Sequence, residues 1–453
     1  WNGNSPGWND TTLEFKLDVQ LAYEGKQSED EILKLPPASY LQFDQVGEPI
    51  NGLYCGDNLP ILSSFLDCDP IYKQVKLIYI DPPFATNSIF KSRSQTDAYS
   101  DLLTGSHYIE FLRKRLILLR ELLSDDGSIY IHLDENISFY VKIIMDELFG
   151  KKNFRNWITR KKCNPKNYTK KSYGNIADYI LYYTKSESYT WNRPFESWTN
   201  ERAFKEYQYI EEKTGRRYKK VPIHAPGVRQ GETGKPWRGM NPPPGKHWQY
   251  PPATLEQMDD RGEIFWSKNG NPRRKVYLDE SLGIPVQDIW LDCRDAHNQN
   301  IQITGYPTEK NDDLVTRIIR ASSNPNDLVL DCFSGSGTTL AVADRQQWRW
   351  IGIDNSLEAI ATTLQRFTQG TTLMGDFVQK DKPSDREEMQ QMSLFDRPNL
   401  EDPISDKLSS NPNRLVNNFA IYGVESIAEE LQEVVDRWRS GKIDPTIARS
   451  LQV

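Results

Sequence analysis

The sequence predicts an α/β fold: a mainly parallel sheet covered on both faces by helices and interrupted by a loop-rich insert. Three observations predict it. Short apolar runs alternate with helix-spaced apolar residues over 51–150 and again over 301–376. A glycine loop, Phe333-Ser-Gly-Ser-Gly337, joins an apolar run to a helical pattern. Between the two α/β stretches the composition changes to Pro, Gly, Trp, Tyr and basic residues, which reads as an insert over 151–300.

Taken in order, residues 1–50 read as an irregular extension with one helix near Glu29–Leu35. Asn51–Cys55 and Val75–Ile80 read as buried strands. His107–Leu123 carries Phe111, Leu112, Leu116, Leu119 and Leu123 at helical spacing. Asp125-Asp126-Gly127 is expected to stop that helix before a strand at Ser128–Leu133, and Gly150 to end a helix over Ile137–Phe149. After the insert, Asp312–Ser322 and Thr338–Arg345 read as helices, Asp327–Cys332 and Trp350–Asp354 as strands. Residues 377–453 read as a linker followed by a small helical tail, with Ile427, Leu431, Val434, Val435 and Trp438 on one face of Val424–Arg439.

With 453 residues, 26% charged and 37% hydrophobic, the chain is long enough for two or three domains with cores. No apolar run reaches the ~18 residues of a membrane span. No signal peptide is visible, and an opening at Trp1 is expected of a segment lacking its upstream residues. Five scattered cysteines and five dispersed histidines support neither a disulfide framework nor a metal site, and fit a reducing, cytoplasmic setting. The net charge of −7 hides an asymmetry. Lys151–Pro285 holds 27 Lys and Arg against 14 Asp and Glu, and 21 of the 51 aromatic residues. Basic plus aromatic is a pattern suited to phosphate contact and base stacking.

The glycine loop narrows the ligand. A dinucleotide site would prefer a third glycine where Leu340 stands, and the phosphate-loop pattern G-x-x-x-x-G-K-[ST] is absent. A second strand ends in Asp354, placed to hydrogen-bond a ribose diol. S-adenosylmethionine fits: its adenosine at Asp354, its amino-acid tail at the loop Phe333, Gly335, Ser336, Gly337 and Thr338 and at Asp331.

An apolar strand, Lys76–Ile80, runs straight into Asp81-Pro82-Pro83-Phe84. Exocyclic amino nitrogens of nucleobases are poor nucleophiles, because the lone pair is delocalised into the ring. A catalyst must accept hydrogen bonds from the N–H groups and aim the nitrogen. Asp81 offers a carboxylate, Pro82 a backbone carbonyl, and Phe84 a ring to stack on the base. The prolines stiffen the turn and remove competing donors. In duplex DNA the base must first be flipped out.

These stretches together resemble the amino-methyltransferases of DNA, which modify adenine N6 or cytosine N4. The resemblance covers Asn51–Phe367. It rests on GDN at 56–58, DPPF at 81–84, GSIYIHLDEN at 127–136, YPTEKN at 306–311, DCFSGSGTT at 331–339 and GIDNS at 352–356. The order, catalytic motif first and cofactor loop last, is similar to the permuted β class, which includes modification subunits of restriction systems. It implies a Rossmann-like, S-adenosylmethionine-dependent methyltransferase sheet of seven strands, one antiparallel. It implies that Asp81, Pro82, Pro83 and Phe84 form the catalytic clip, that Asp57 contacts the cofactor's adenine, and that Thr308 and Lys310 help hold its methionine tail. Asn311 stands where the family commonly has proline.

Cytosine C5 chemistry needs a cysteine after a proline, and none of the five follows one. Between the amino targets, Asp81 favours adenine N6, since cytosine-N4 members more often carry Ser there; cytosine N4 stays open. A catalytically silent DNA-binding or assembly protein is the alternative from another class, opposed by the intact Asp81, Gly335, Gly337 and Asp354. The insert is expected to recognise double-stranded DNA. Its candidate phosphate contacts are Lys161, Lys162, Lys166, Lys170, Lys171, Arg216, Arg217, Lys219, Lys220, Arg273, Arg274 and Lys275. The resemblance also implies a homodimer and a cognate restriction endonuclease. Gln391–Phe395, QMSLF, is similar to peptides that dock on the bacterial sliding clamp.

Overall fold

A computed structural model describes residues 19–83, 105–165, 171–295, 302–304, 306, 309–373, 416 and 418–445. They form two compact units. The first takes the described residues up to Asn192 and from Gln287 onward; the second spans Arg193–Val286. No helix among the described residues is long and apolar enough to cross a membrane.

The first unit is built on ten strands: β1 (Tyr40–Val46), β2 (Asn51–Cys55), β3 (Val75–Ile80), β4 (Leu123–Leu133), β5 (Phe154–Lys161), β6 (Ala177–Thr184), β7 (Ile289–Trp290), β8 (Leu328–Asp331), β9 (Arg349–Asp354) and β10 (Phe419–Val424). Their order is β1-β10-β2-β9-β8-β3-β4-β6-β5-β7. β6 runs antiparallel to both its neighbours, and edge strand β1 antiparallel to β10; every other pairing is parallel. β2 and β8 are buried at every residue, and β3 at all but Lys76, which is why their sequences are continuous apolar runs and not alternating ones.

The helices follow from local signals. α1 (Glu29–Leu33) starts with a capping box between Ser28 and Glu31. α2 (Asn58–Ser64) is capped by Asp57. α3 (Gly105–Leu122) buries Leu112, Leu116 and Leu119, and α4 (Ser138–Phe149) ends at Gly150, where φ is +81°. α5 (Asp312–Ser322) is capped by the buried Asn311, whose side chain accepts the Asp313 N–H at 2.7 Å. Thus the residue that replaces a proline at 311 has a structural task of its own. α6 (Thr338–Arg345), α7 (Leu357–Gln369) and α8 (Ala428–Arg439) complete the unit.

β3 is followed in the chain by α3 and its neighbour β4; β8 is followed by α6 and its neighbour β9 on the opposite side. The chain therefore turns away in opposite directions from the β8/β3 pair. In open parallel sheets such a switch point, at the carboxyl ends of the strands, is where ligands bind.

Four expectations need correction. The second unit is narrower than 151–300: β5, β6 and β7 belong to the central sheet. Arg155, Arg160 and Lys161 pulled the composition of β5 toward the basic insert and hid its pairing with β6. The segment 377–453 is more than linker and helix, because β10 enters the sheet between β1 and β2, and α8 starts at Ala428, past a short 3-10 turn. The extension 1–50 supplies β1. Asp125–Gly127 lies within β4, which begins at Leu123 directly after α3, but the pairing with β3 is irregular there, passing from Val75↔Leu123 to Leu77↔Ser128, and Asp126 pairs with Lys76.

The second unit holds a four-stranded antiparallel sheet in the order Ile264–Trp266, Pro272–Tyr277, Arg217–Pro222, Tyr209–Ile210. Trp237, Trp248 and Ile264 pack with Ile223, Leu255 and Met258 into its core, with Trp266 against it. Several aromatics that suggested base stacking are core residues.

Phe419 of β10 is fully buried against Trp350, Phe367 and Trp438. Phe419→Ala is expected to cost about 3–5 kcal/mol, read as a lower denaturant midpoint of the first unit. A change under about 1 kcal/mol would place β10 outside the cooperative core.

Candidate active site

Four neighbouring parallel strands, β2, β9, β8 and β3, each end in an aspartate at one edge. Asp354 closes β9 and pairs in register with Cys55, two residues before Asp57. Asp331 closes β8, and Asp81 follows β3. Each carboxylate is handled differently.

Asp57 Oδ1 accepts the Leu59 N–H at 3.0 Å and meets Arg115 Nη2 at 2.7 Å. Arg115 also donates to Asn58, and its guanidinium lies 3.6 Å from the centre of the Phe111 ring, which neighbours Phe333 at 6.2 Å. Asn58 in turn donates to the Cys332 carbonyl at 2.6 Å, tying the GDN segment to the glycine loop.

Asp354 Oδ2 accepts the Gly335 N–H at 2.8 Å, and Oδ1 the Ser356 N–H at 2.9 Å. Burial raises its pKa, against these two bonds. A carboxylate has about four acceptor positions, so room for ribose hydroxyls remains. Asp331 accepts from Thr339 Oγ1 at 2.6 Å and from the Phe333 N–H at 3.1 Å; burial pushes its carboxyl up to about 7. It acts inside the loop, braced rather than open.

Gly335 and Gly337 sit at φ +50° and +72°. A Cβ on Gly337 would come within 2.7 Å of the Thr363 side chain. Backbone geometry therefore favours glycine at both positions, and close packing requires it at Gly337. Arg366 of α7, buried, donates to Thr338 Oγ1 at 2.9 Å and to the Ser336 carbonyl at 3.3 Å, and pairs with Glu309 at 3.1 Å and Asp312 at 3.0 Å. It locks the loop to the segment that carries Lys310. Thr308 lies outside the described residues.

At the clip, Asp81 Oδ2 meets Lys310 Nζ at 2.6 Å. Oδ1 is buried and, among the described residues, accepts no hydrogen bond. Pro82 is buried, and the Pro83 carbonyl accepts the Tyr108 hydroxyl at 2.8 Å, which pins the turn to α3. Phe84 lies outside the described residues.

The sequence reading missed Arg115 and Arg366. A single arginine inside an amphipathic helix carries no motif; the signal available was its position on the face that otherwise holds apolar residues. The glycine loop, Asp57, Asp331, Asp354, Asp81 and Lys310 do converge on one edge.

The cations proposed for phosphate contact divide. Arg216 is held by Asp279 and Glu280 at 2.6–2.9 Å, Lys275 by Glu211 at 2.6 Å, and Lys219 lies 3.7 Å from Glu206. Arg274 donates to the Tyr250 hydroxyl at 2.7 Å, and Arg217 lies over the Phe204 ring at 4.1 Å. Lys220 sits between the Tyr209 and Phe265 rings at 3.5 and 3.4 Å, and Arg273 is exposed. Lys161 ends β5, with Lys162 just beyond it, and Lys171 is exposed. Lys166 and Lys170 lie outside the described residues, as does Gln391–Phe395.

A DNA methylase family model, N6/N4 type, matches residues 75–365. The chain is 49% identical over 366 residues to the type II methyltransferase M.EcaI of Enterobacter cloacae, covering 80% of each chain. It is 28% identical over 324 residues to the type II methyltransferase M.KpnI of Klebsiella pneumoniae, covering 65% of this chain and 76% of that one. Among solved structures, that of an M1.HpyAVI–SAM complex is similar at 17% identity and TM-score 0.37, covering 70% of this chain and 98% of that one.

Gly337→Ala is expected to weaken cofactor binding by about tenfold or more, from strain of about 1–3 kcal/mol at φ +72°. Calorimetric titration with the adenosyl cofactor reads it; unchanged affinity would detach the loop from the cofactor.

Proposed function

The chain belongs to the N6/N4 DNA methylase family, and from that premise we propose that it methylates adenine N6 at a specific site in duplex DNA, as the modification enzyme of a restriction system. The observation that carries this reading is the buried, unclaimed Oδ1 of Asp81 beside the glycine loop. The donor set suits S-adenosylmethionine: a cradle that excludes a Cβ at Gly337, and the strand-end carboxylates of Asp57 and Asp354. Bound there, S-adenosylmethionine supplies a methyl group already activated on a sulfonium.

The protein's part is positioning. Asp81 Oδ1 accepts one N–H of the flipped amino group, and the Pro82 carbonyl the other. Two accepted hydrogen bonds localise the lone pair and fix its direction. Lys310 pairs with Oδ2 and leaves Oδ1 as the acceptor that faces the amino group. Tyr108 and the two prolines hold the turn rigid, so little reorganisation is left for the reaction itself.

An aspartate in the first clip position supports adenine over cytosine, as the family resemblance implies. Incubation with methyl-labelled cofactor and unmethylated DNA, followed by nucleoside mass spectrometry, is expected to give label in N6-methyldeoxyadenosine. Label in N4-methylcytosine would reassign the base; no label in DNA would overturn the reading. Asp81→Ala is expected to lower single-turnover methylation by more than about 10²-fold with cofactor affinity retained.

We further propose that the second unit contacts DNA phosphates through cations that lack strong internal pairing, Lys220 and Arg273, rather than through Arg216 or Lys275. The double substitution Lys220→Ala, Arg273→Ala is expected to reduce the slope of log affinity against log salt by about 2. An unchanged slope counts against that assignment. The restriction context makes a cognate endonuclease the expected partner.

A further inference from the structure

Behind the clip lies a buried polar chain that the reading so far leaves unused. His132, on β4, is fully buried. Its Nδ1 faces β3, with the Tyr79 hydroxyl at 2.9 Å and Asp81 Oδ1 at 4.0 Å. Its Nε2 lies 2.9 Å from Asp178 Oδ2 of β6. Asp178 meets Arg160 Nη1 of β5 at 2.8 Å, and Arg160 Nη2 meets Asp295 at 2.7 Å. Lys310 closes the far side of Asp81. Asp331, at the end of β8, also acts on Tyr79.

Stability does not account for such a cluster. Apolar residues of similar volume often do as well as a buried ion pair, because desolvation consumes the Coulombic gain. The arrangement does have a chemical use. Burial would raise the Asp178 pKa, yet the hydrogen bond from His132 and the Arg160 charge hold it well below the usual carboxylate range. A permanently ionised Asp178 favours the tautomer with the proton on Nε2, which leaves the Nδ1 lone pair facing Tyr79 and Asp81. That is the logic by which a carboxylate orients an imidazole base.

We infer that His132, backed by Asp178 and Arg160, is a positioning residue that receives, through Asp81, the proton shed when the amino nitrogen is methylated. The inference rests on the amino-methylation reading above. At the amino nitrogen an N–C bond forms as the methyl–sulfur bond breaks, its electron pair staying on sulfur. The nitrogen, now cationic, loses one N–H proton to Asp81 Oδ1. Oδ1 passes it to Nδ1 of His132 as the Tyr79 hydroxyl turns from donor to that lone pair into acceptor of the new Nδ1–H, and Asp81 is a carboxylate again. The 4.0 Å gap is about 1 Å longer than a hydrogen bond and must close for the transfer. Asp81, Asp178 and Asp295 are opposed by Lys310 and Arg160, a balance of −1 that the arriving proton brings to zero.

The test is single-turnover transfer of labelled methyl to DNA across pH 5–9, which removes product release from the measured rate. Wild-type label in DNA checks the underlying reading independently of any variant. The wild-type rate is expected to fall on the acid side, because an imidazolium cannot take the proton. His132→Gln is expected to be slowed by about 10²-fold, to lose that acid limb, and to bind S-adenosylmethionine within about twofold of wild type. A wild-type rate, or a slow variant whose acid limb keeps its midpoint, overturns the inference. Should His132→Gln not bind cofactor, Asp178→Asn decides, since it keeps the shape but removes the charge that sets the tautomer. Its acid limb must also move or vanish, and an acid limb unchanged from wild type overturns the inference.

Discussion

The architecture depends on a repulsion it must contain. Four parallel strands place Asp57, Asp354, Asp331 and Asp81 along one edge. No two of them are register partners, but ionised carboxylates gathered at one end of a buried sheet repel one another. The structure answers with four separate devices. Arg115 neutralises Asp57, and Lys310 neutralises Asp81. Backbone N–H groups of the glycine loop and the α7 cap bind Asp354. Asp331, with burial pushing its carboxyl up to about 7, sheds part of its charge. The glycine loop is therefore tied to the acids it adjoins: its tight turn at Gly335 aims an N–H at Asp354.

The same economy governs the second unit. Its basic residues looked from composition like a surface for polyanions, but several spend their charge on neighbouring acids, and its tryptophans fill a small core. A unit of under a hundred residues has little apolar volume. Large aromatics capped by Glu256 and Asp259, which accept the Trp237 and Trp266 indole N–H groups, let it close a core without long aliphatic runs.

Most of what the sequence made legible was local. The helices at Asp312–Ser322 and Thr338–Arg345 appear at those limits, since a cap and an amphipathic face sit within a dozen residues. The clip and glycine loop were legible because backbone chemistry demands proline and glycine there. What stayed hidden depends on contacts far apart in the chain. β10 completes the sheet from beyond residue 400, and its five-residue register with β2 leaves no mark in its own sequence. β5 was masked by its own Arg155, Arg160 and Lys161, which made it read as part of the basic stretch. Arg160 reads as one more cation of a basic stretch, yet it is wholly buried between Asp178 and Asp295. His132 stood in a recognised motif without a role, because its partners come from two other strands, β3 and β6.

The buried cluster also bears on why the clip begins with aspartate. An asparagine at 81 would offer the amino group a similar acceptor, so hydrogen bonding alone does not demand a carboxylate. It would, however, leave Lys310, whose side chain is only 11% exposed, facing a neutral partner. Removing one member of a buried pair costs about 3–5 kcal/mol. It would also end any path for a proton from the reacting nitrogen to His132, since an amide oxygen is a poor proton carrier. The choice at 81 is thus coupled to Lys310 on one side and to His132, Asp178 and Arg160 on the other. On the proposed reading, the identity of residue 81 follows from the charges placed behind it as much as from the base placed in front.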